Sequence, residues 1–269
     1  MELYLKKNNK TYKFDINKPI DLSIPIIFNG QQPNSYNVPI AKAGAYQDGD
    51  FIGDVRQGGG CNFETYVLTP HCNGTHTECV GHITKERISI NKVLNENFVC
   101  STLITCQIVD INDSEESYYN IEEKSDKIIS KESIKKALKH NNKDFLDGLI
   151  IRTTPNGKFK KSINYMDNQP AFLSKEAIEY IVELGIKHLL LDIPSLDKTF
   201  DGGRLNNHHI FWNLKLGENT TSEISNKTIT EMIYAANEIK DGEYLLNITV
   251  APFESDASPS SIKIFKIEK

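Results

Sequence analysis

The sequence predicts a mixed α/β fold in one domain with a sheet that is in part parallel, and three observations carry that expectation. A helical period at Ala177, Ile178, Ile181, Val182 and Leu184 lies between two apolar strand candidates, 149–152 and 188–192, which is the pattern of a βαβ crossover. β-rich runs at 245–250 and 262–267 add strands at the C-terminal end. No internal repeat and no Pro/Ser-rich linker divides residues 1–269, so a single domain is expected.

The elements follow in order. Residues 4–14 and 20–28 read as short strands, and the Gly/Pro/Asn-rich stretch that ends in Gly58-Gly59-Gly60 reads as loops and sheet edges. The run 63–68 is a strand that leads into a histidine-rich segment. A more apolar strand is expected over 100–111, then an exposed acidic connection over 113–126, then a short helical pattern over 133–138. Ser174 is a helix N-cap, and Gly185 marks the point where that helix stops before the strand at 188–192.

Composition narrows the function classes. The 269 residues are 39% hydrophobic, enough for a sizeable core, and the formal charge of −5 comes without any Lys/Arg-rich run that would grip a phosphate backbone, so no nucleic-acid partner is expected. Residues 1–7 lack the apolar core of a signal peptide, and no stretch reaches the roughly 18 apolar residues of a spanning helix, so no membrane partner is expected. Five cysteines, an odd number without framework spacing, fit a reducing cytoplasm, and Asn219-Thr220-Thr221 is then a chance sequon.

The chemistry concentrates in Thr69-Pro70-His71-Cys72-Asn73-Gly74-Thr75-His76-Thr77-Glu78-Cys79-Val80-Gly81-His82. Three of the seven histidines fall here, beside glycines that let the backbone fold tightly. On an extended chain His76, Glu78 and His82 share a face, and imidazole with carboxylate suits zinc, manganese or iron better than calcium or magnesium. The alternative is a polar loop whose side chains only satisfy backbone groups.

This segment resembles the metal-binding signature of the putative cyclase family, H-x-G-T-H-x-D-x-P-x-H, which includes kynurenine formamidase and isatin hydrolase. Glu78 stands in place of the aspartate, Val80 in place of the proline, and one extra residue separates the first two histidines. The resemblance continues through residues 174–177, Leu191-Asp192-Ile193-Pro194-Ser195-Leu196-Asp197, His208-His209, Gly242-Glu243-Tyr244 and Asp256-Ala257-Ser258-Pro259, with Ser260 where arginine is common, and so runs from about residue 21 to 269. It implies a swivelling β/β/α sandwich or barrel that assembles as a homodimer or homotetramer. It also implies a first ion held by His71, His76 and Glu78, with His82, His208 and Glu231 binding a second ion or acting on the substrate. Glu231 is placed by Ile229-Thr230-Glu231-Met232-Ile233, an apolar strand ending in glutamate, although the polar stretch 217–227 lengthens the gap from His208. The alternative for Glu231 is a surface helix that carries it outward.

Other candidates have ordinary readings beside functional ones. His209 is a possible orienting group, while His140 reads as the cation closing a Lys-rich helix and His188 as the start of a strand. Asp192 at a strand end could orient a histidine, and Asp197 with Pro194 and Ser195 could be either functional or simply a turn. Cys72 and Cys79 lack a free histidine and acid to activate them. The expected activity is hydrolysis of a small carbonyl compound (amide, cyclic imide, lactone or ester, arylformamidase-like), using zinc or manganese, one or two ions, to activate water, with His82 or Glu231 as base. Two rivals are a metal-dependent lyase or isomerase that stabilises an enolate and a non-catalytic metal-binding protein. The extra residue poses a local choice: the family spacing counted back from His76 lands on Cys72, whereas the preceding Thr69-Pro70 favours His71. A β-bulge at Asn73-Gly74 would restore the face of His71.

Overall fold

The computed structural model describes residues 1–268. Seven strands form a closed ring: β1 (His76–Glu78), β2 (Phe98–Gln107), β3 (Gly148–Thr154), β4 (His188–Leu191), β5 (Thr228–Glu231), β6 (Gly242–Val250) and β7 (Ala257–Glu268). Around the ring the order is β7-β6-β2-β3-β4-β5-β1, and β1 pairs back onto β7. The four central strands β2 to β5 run parallel, and the remaining pairings are antiparallel.

The parallel strands are buried on both faces, as their near-continuous apolar sequences require. Alternate residues separate two cores. Leu103, Ile150, Leu190, Leu246, Ile248, Ile262 and Ile264 fill the inside of the ring. Ile104, Leu149, Ile151, Leu189 and Leu191 point the other way and pack against two helices, α1 (Lys131–Leu138) and α2 (Lys175–Glu183), through Ile134, Ala177, Ile178 and Ile181. Helix α2 begins where the sequence places it: the Ser174 hydroxyl accepts from Ala177 N, and Gly185 takes a left-handed φ of 75° after the helix ends.

Several elements differ from the sequence reading. The stretch 4–14 is a hairpin, Glu2–Lys7 with Lys10–Asp15, because Asn8 and Asn9 both adopt positive φ in a two-residue turn. Only Ile20–Asp21 of 20–28 pairs as strand. The run at 63–68 forms Glu64–Val67, which pairs with Lys42–Ala45 in a small exposed sheet outside the ring. The acidic connection at 113–126 is not an exposed loop, since Tyr118 and Asp126 are buried and hydrogen-bonded into the domain.

Candidate metal centre

The shortest strand of the ring organises the site. β1 lies between β5 and β7, and its register sets His76 opposite Glu231 on one side and Pro259 on the other. Alternation then puts His76 and Glu78 on one face, while Thr77 turns away and its hydroxyl bonds that of Thr230 at 2.8 Å. His71 arrives from the helical turn Pro70–Asn73, and His82 from the tight turn Val80–His82. The second turn needs its glycine: a Cβ on Gly81 would lie 2.1 Å from the Ile88 carbonyl oxygen. His208 comes from helix α3 (Asn206–Phe211). Two non-glycine residues beside these side chains, Leu205 and Met232, hold φ of 48° and 52°, a strained conformation typical of functional sites.

The six residues singled out in the sequence, His71, His76, Glu78, His82, His208 and Glu231, are thereby brought together. Glu78 is central: its Oε1 lies 3.0 Å from His208 Nε2, and its Oε2 lies 3.1 Å from His71 Nδ1 and 3.8 Å from His82 Nε2. Three trios place one ligand atom per residue within 4.8 Å of one another: His71, His76 and Glu78; Glu78, His82 and His208; and His71, His82 and Asp256. Glu78 is shared between two of them, and Glu231 belongs to none but stands beside His76, Oε2 to Nε2, at 3.4 Å. The grouping therefore differs from the sequence reading, in which His82, His208 and Glu231 formed the second set.

The hydrogen bonds decide which ring atoms are available. His76 Nδ1 donates to the Gly74 carbonyl at 3.1 Å, so Nε2 is the ring nitrogen left to face the cluster. That buried Nε2 has no hydrogen-bond partner, and it faces the Glu231 carboxylate at 3.4 Å. Glu78 Oε2 is likewise buried without a hydrogen bond of good geometry. His208 Nδ1 is held by Asp197 Oδ2 at 2.5 Å, which aims Nε2 into the cluster. Acceptors facing acceptors in a dry site cost free energy unless a cation lies between them, and imidazoles with the second nitrogen pinned are how proteins prepare metal ligands. The donor set of imidazole and carboxylate fits a divalent transition ion.

Electrostatics points the same way. Burial disfavours the charged form of His71, yet Asp256 and Glu78 raise its pKa to about 10. His208 rises well above its ordinary value against its own burial because of Asp197 and Glu78. Glu78, fully buried, is nevertheless held well below the usual carboxylate range by His82, His208 and His71, and Asp256 likewise by His71 and His82. The cluster collects positive charge, as protons or as a cation.

At the extra residue between His71 and His76 the chain makes a helical turn rather than a bulge. Pro70 opens the turn, which brings the His71 ring into the cluster, while buried Cys72 belongs to none of the three trios. Gly74 is extended, with φ of 164°, so Asn73-Gly74 makes no positive-φ bulge. The Cys72 and Cys79 thiols are pushed up by burial to about 11 and about 12, which leaves them protonated.

Other sequence readings are corrected or sharpened. Asp192 orients no histidine; its carboxylate accepts from Thr153 N, Thr153 Oγ1 and Lys160 Nζ. Asp197 is more than a turn residue, since it holds His208. Glu231 ends a buried strand and does not lie on a surface helix; its Oε1 accepts from Leu196 N at 3.2 Å. His209 turns away from the cluster towards the carbonyls of Leu205 and Glu218, and so pins the 217–227 stretch. His140 lies beyond the end of its helix, which stops at Leu138, and His188 bonds Thr228 from the start of β4. One residue escaped the sequence reading: Asp256, whose Oδ2 sits 2.9 Å from His71 Nε2 and 3.4 Å from His82 Nδ1. Its signal was present in Asp256-Ala257-Ser258-Pro259, but nothing local says that β7 delivers it beside β1.

Comparison with known proteins agrees with this picture. A family model described as Putative cyclase matches residues 15–198. No curated protein sequence matches significantly. A Bacillus stearothermophilus structure described as a predicted metal-dependent hydrolase superposes with a TM-score of 0.60 at 16% identity, covering 92% of this chain and 98% of that one. A potential metal-dependent hydrolase with cyclase activity superposes at 0.59 and 15% identity over 93% and 98% of the two chains. Isatin hydrolase A from Labrenzia aggregata superposes at 0.55 and 10% identity over 93% and 94%. At these identities the likeness concerns the fold.

Proposed function

This chain belongs to the putative cyclase family, and we propose that it is a metal-dependent hydrolase of a small amide, cyclic imide, lactone or ester, with an aryl formamide as the first substrate to try. The observation that carries this reading is the buried His76 Nε2, without a hydrogen-bond partner and facing the Glu231 carboxylate at 3.4 Å, an arrangement that a bound cation would complete. His71, His76, Glu78, His82, His208 and Asp256 would hold one or two ions of zinc or manganese. When bound, such an ion supplies a Lewis acid that polarises a carbonyl and acidifies water.

The chain's own groups do the rest. Gly74 and Asp197 fix the rings of His76 and His208, so these ligands need no reorganisation. His71, His82 and Asp256 remain about 30% exposed and form the rim through which substrate reaches the buried Glu78. Glu231 is anchored by one oxygen to Leu196 N, and its other oxygen, facing His76 Nε2 beside the ion position, is the candidate to take a proton from water and return it to a leaving nitrogen or oxygen; His82 is the second candidate for that role. No Ser or Cys nucleophile is needed, since the neighbouring thiols stay protonated.

Among the described residues no helix is long and apolar enough to cross a membrane. The homodimer or homotetramer suggested by the resemblance stays part of the proposal and is read by light scattering on the purified chain. The decisive experiment is metal analysis followed by a screen of formamides, imides and lactones with and without chelator. Turnover should vanish on chelation and return with zinc or manganese. Full turnover after confirmed removal of metal would overturn the reading.

A further inference from the structure

Tyr118 lies in the acidic stretch between β2 and α1, far in sequence from every candidate ligand, yet it is one of the largest fully buried side chains. Its ring packs edge-on against Phe172 and Tyr119, with centroids 4.7 and 5.0 Å away. The stretch around it is tied down independently. Glu116 accepts from Lys131 N, Glu132 N and the Ser174 hydroxyl at the starts of α1 and α2. Asp126 pairs with buried Lys198 at 2.7 Å.

A buried phenol has one proton to place, and here its direction is set. Tyr118 Oη accepts from Lys198 N at 3.2 Å, so its proton goes to a carboxylate, and the near one is Asp197 Oδ1 at 2.6 Å, with Asp201 at 3.4 Å. Asp197 also takes Asn207 N on the same oxygen, and His208 N and Nδ1 on the other. The chain of contacts is therefore phenol, carboxylate, imidazole and Glu78. A carboxylate rotates about its own bond unless both oxygens are held, and the phenol, with the shorter of the two contacts on Oδ1, shares with Asn207 N the task of fixing the plane that Asp197 presents to His208.

We infer that Tyr118 is a positioning residue for the cation site: it locks Asp197 so that His208 keeps its Nδ1 proton and directs the Nε2 lone pair at the ion. This rests on the cluster being a cation site. The rival is a merely structural tyrosine that fills the core. The two differ in what cation affinity does when only the hydroxyl is removed.

The test is zinc and manganese affinity by competition with a chromophoric chelator, alongside circular dichroism for fold. Tyr118→Phe should weaken binding about ten-fold, the lower end for a residue that orients a ligand. Glu116→Gln, which loosens the same segment without touching Asp197, should leave affinity unchanged. 3-Fluorotyrosine at 118 retains the hydroxyl, so it should bind normally, and its fluorine resonance should move when zinc is added; this arm decides the question if the Phe variant does not fold. Wild-type affinity in Tyr118→Phe, an equal loss in Glu116→Gln, or an unmoved fluorine resonance would overturn the inference alone. A wild-type chain that binds neither metal would overturn both it and the hydrolase reading.

Discussion

Neighbouring parallel strands end in carboxylates with opposite fates. Asp192 follows β4 and Glu231 closes β5, and their chain ends are tied by a hydrogen bond from Met232 N to Ile193 O. Both side chains are buried, at 1% and 4% exposure. Asp192 has every demand met within the chain: Thr153 N and Oγ1 donate to it, and Lys160 Nζ, itself bonded to Thr153, supplies a compensating charge at 2.7 Å. Glu231 has one oxygen on Leu196 N and the other facing a bare imidazole nitrogen. What sets the two strand-end acids apart is less burial or position than the partners their oxygens have. A completed pair like Lys160–Asp192 is structural; an incomplete one calls for a ligand from outside.

The strongest attempt to break this contrast is Glu231→Gln. It should keep the fold, since Leu196 N can still bond the amide oxygen, and lose on the order of a hundred-fold or more in kcat through loss of a base. A rate equal to wild type would remove Glu231 from the chemistry. Within the same cluster His71→Ala should lose bound metal per folded chain, and Cys72→Ser should keep it. The reverse pattern would mean a thiolate site.

Asp192→Ala should act on stability instead, by about 3–5 kcal/mol, because it leaves the Lys160 ammonium buried and unpaired. Denaturant unfolding at unchanged m-value measures this, and the double variant Asp192→Leu with Lys160→Met should recover most of the loss. Failure of the double variant to recover would show that the pair does more than satisfy itself.

The smallest expected effect comes from a histidine whose ring bonds a hydroxyl rather than a carboxylate. His188 is buried against Thr228, and burial pushes its pKa down to about 4, opposite in sign to His71. A folded value below the unfolded one of about 6.5 means that the neutral ring is favoured in the native state. Its contribution, at most about 3 kcal/mol, is present above pH 6.5 and lost as pH falls through 4. His188→Gln should flatten that limb of the stability profile measured in chelator; an unchanged slope would assign acid sensitivity elsewhere.

The sequence by itself determined the mixed sheet, the crossover helix with its Ser174 cap and Gly185 stop, and the residue types of the cluster, because periodicity, capping and donor chemistry are local properties of the chain. It also placed Glu231 and His208 at the site, though only through likeness to a family pattern. What tertiary structure decided was pairing. Only the register of β1 between β5 and β7 sets His76 against Glu231 and brings Asp256 to His71 and His82, across more than 150 residues of chain in each case. Only the closed ring folds the acidic stretch inward so that Tyr118 meets Asp197, and turns Asp192 towards Lys160 and away from any histidine. Hydrogen-bond satisfaction, which separates Asp192 from Glu231, depends on neighbours distant in sequence and exists only once the chain has closed on itself.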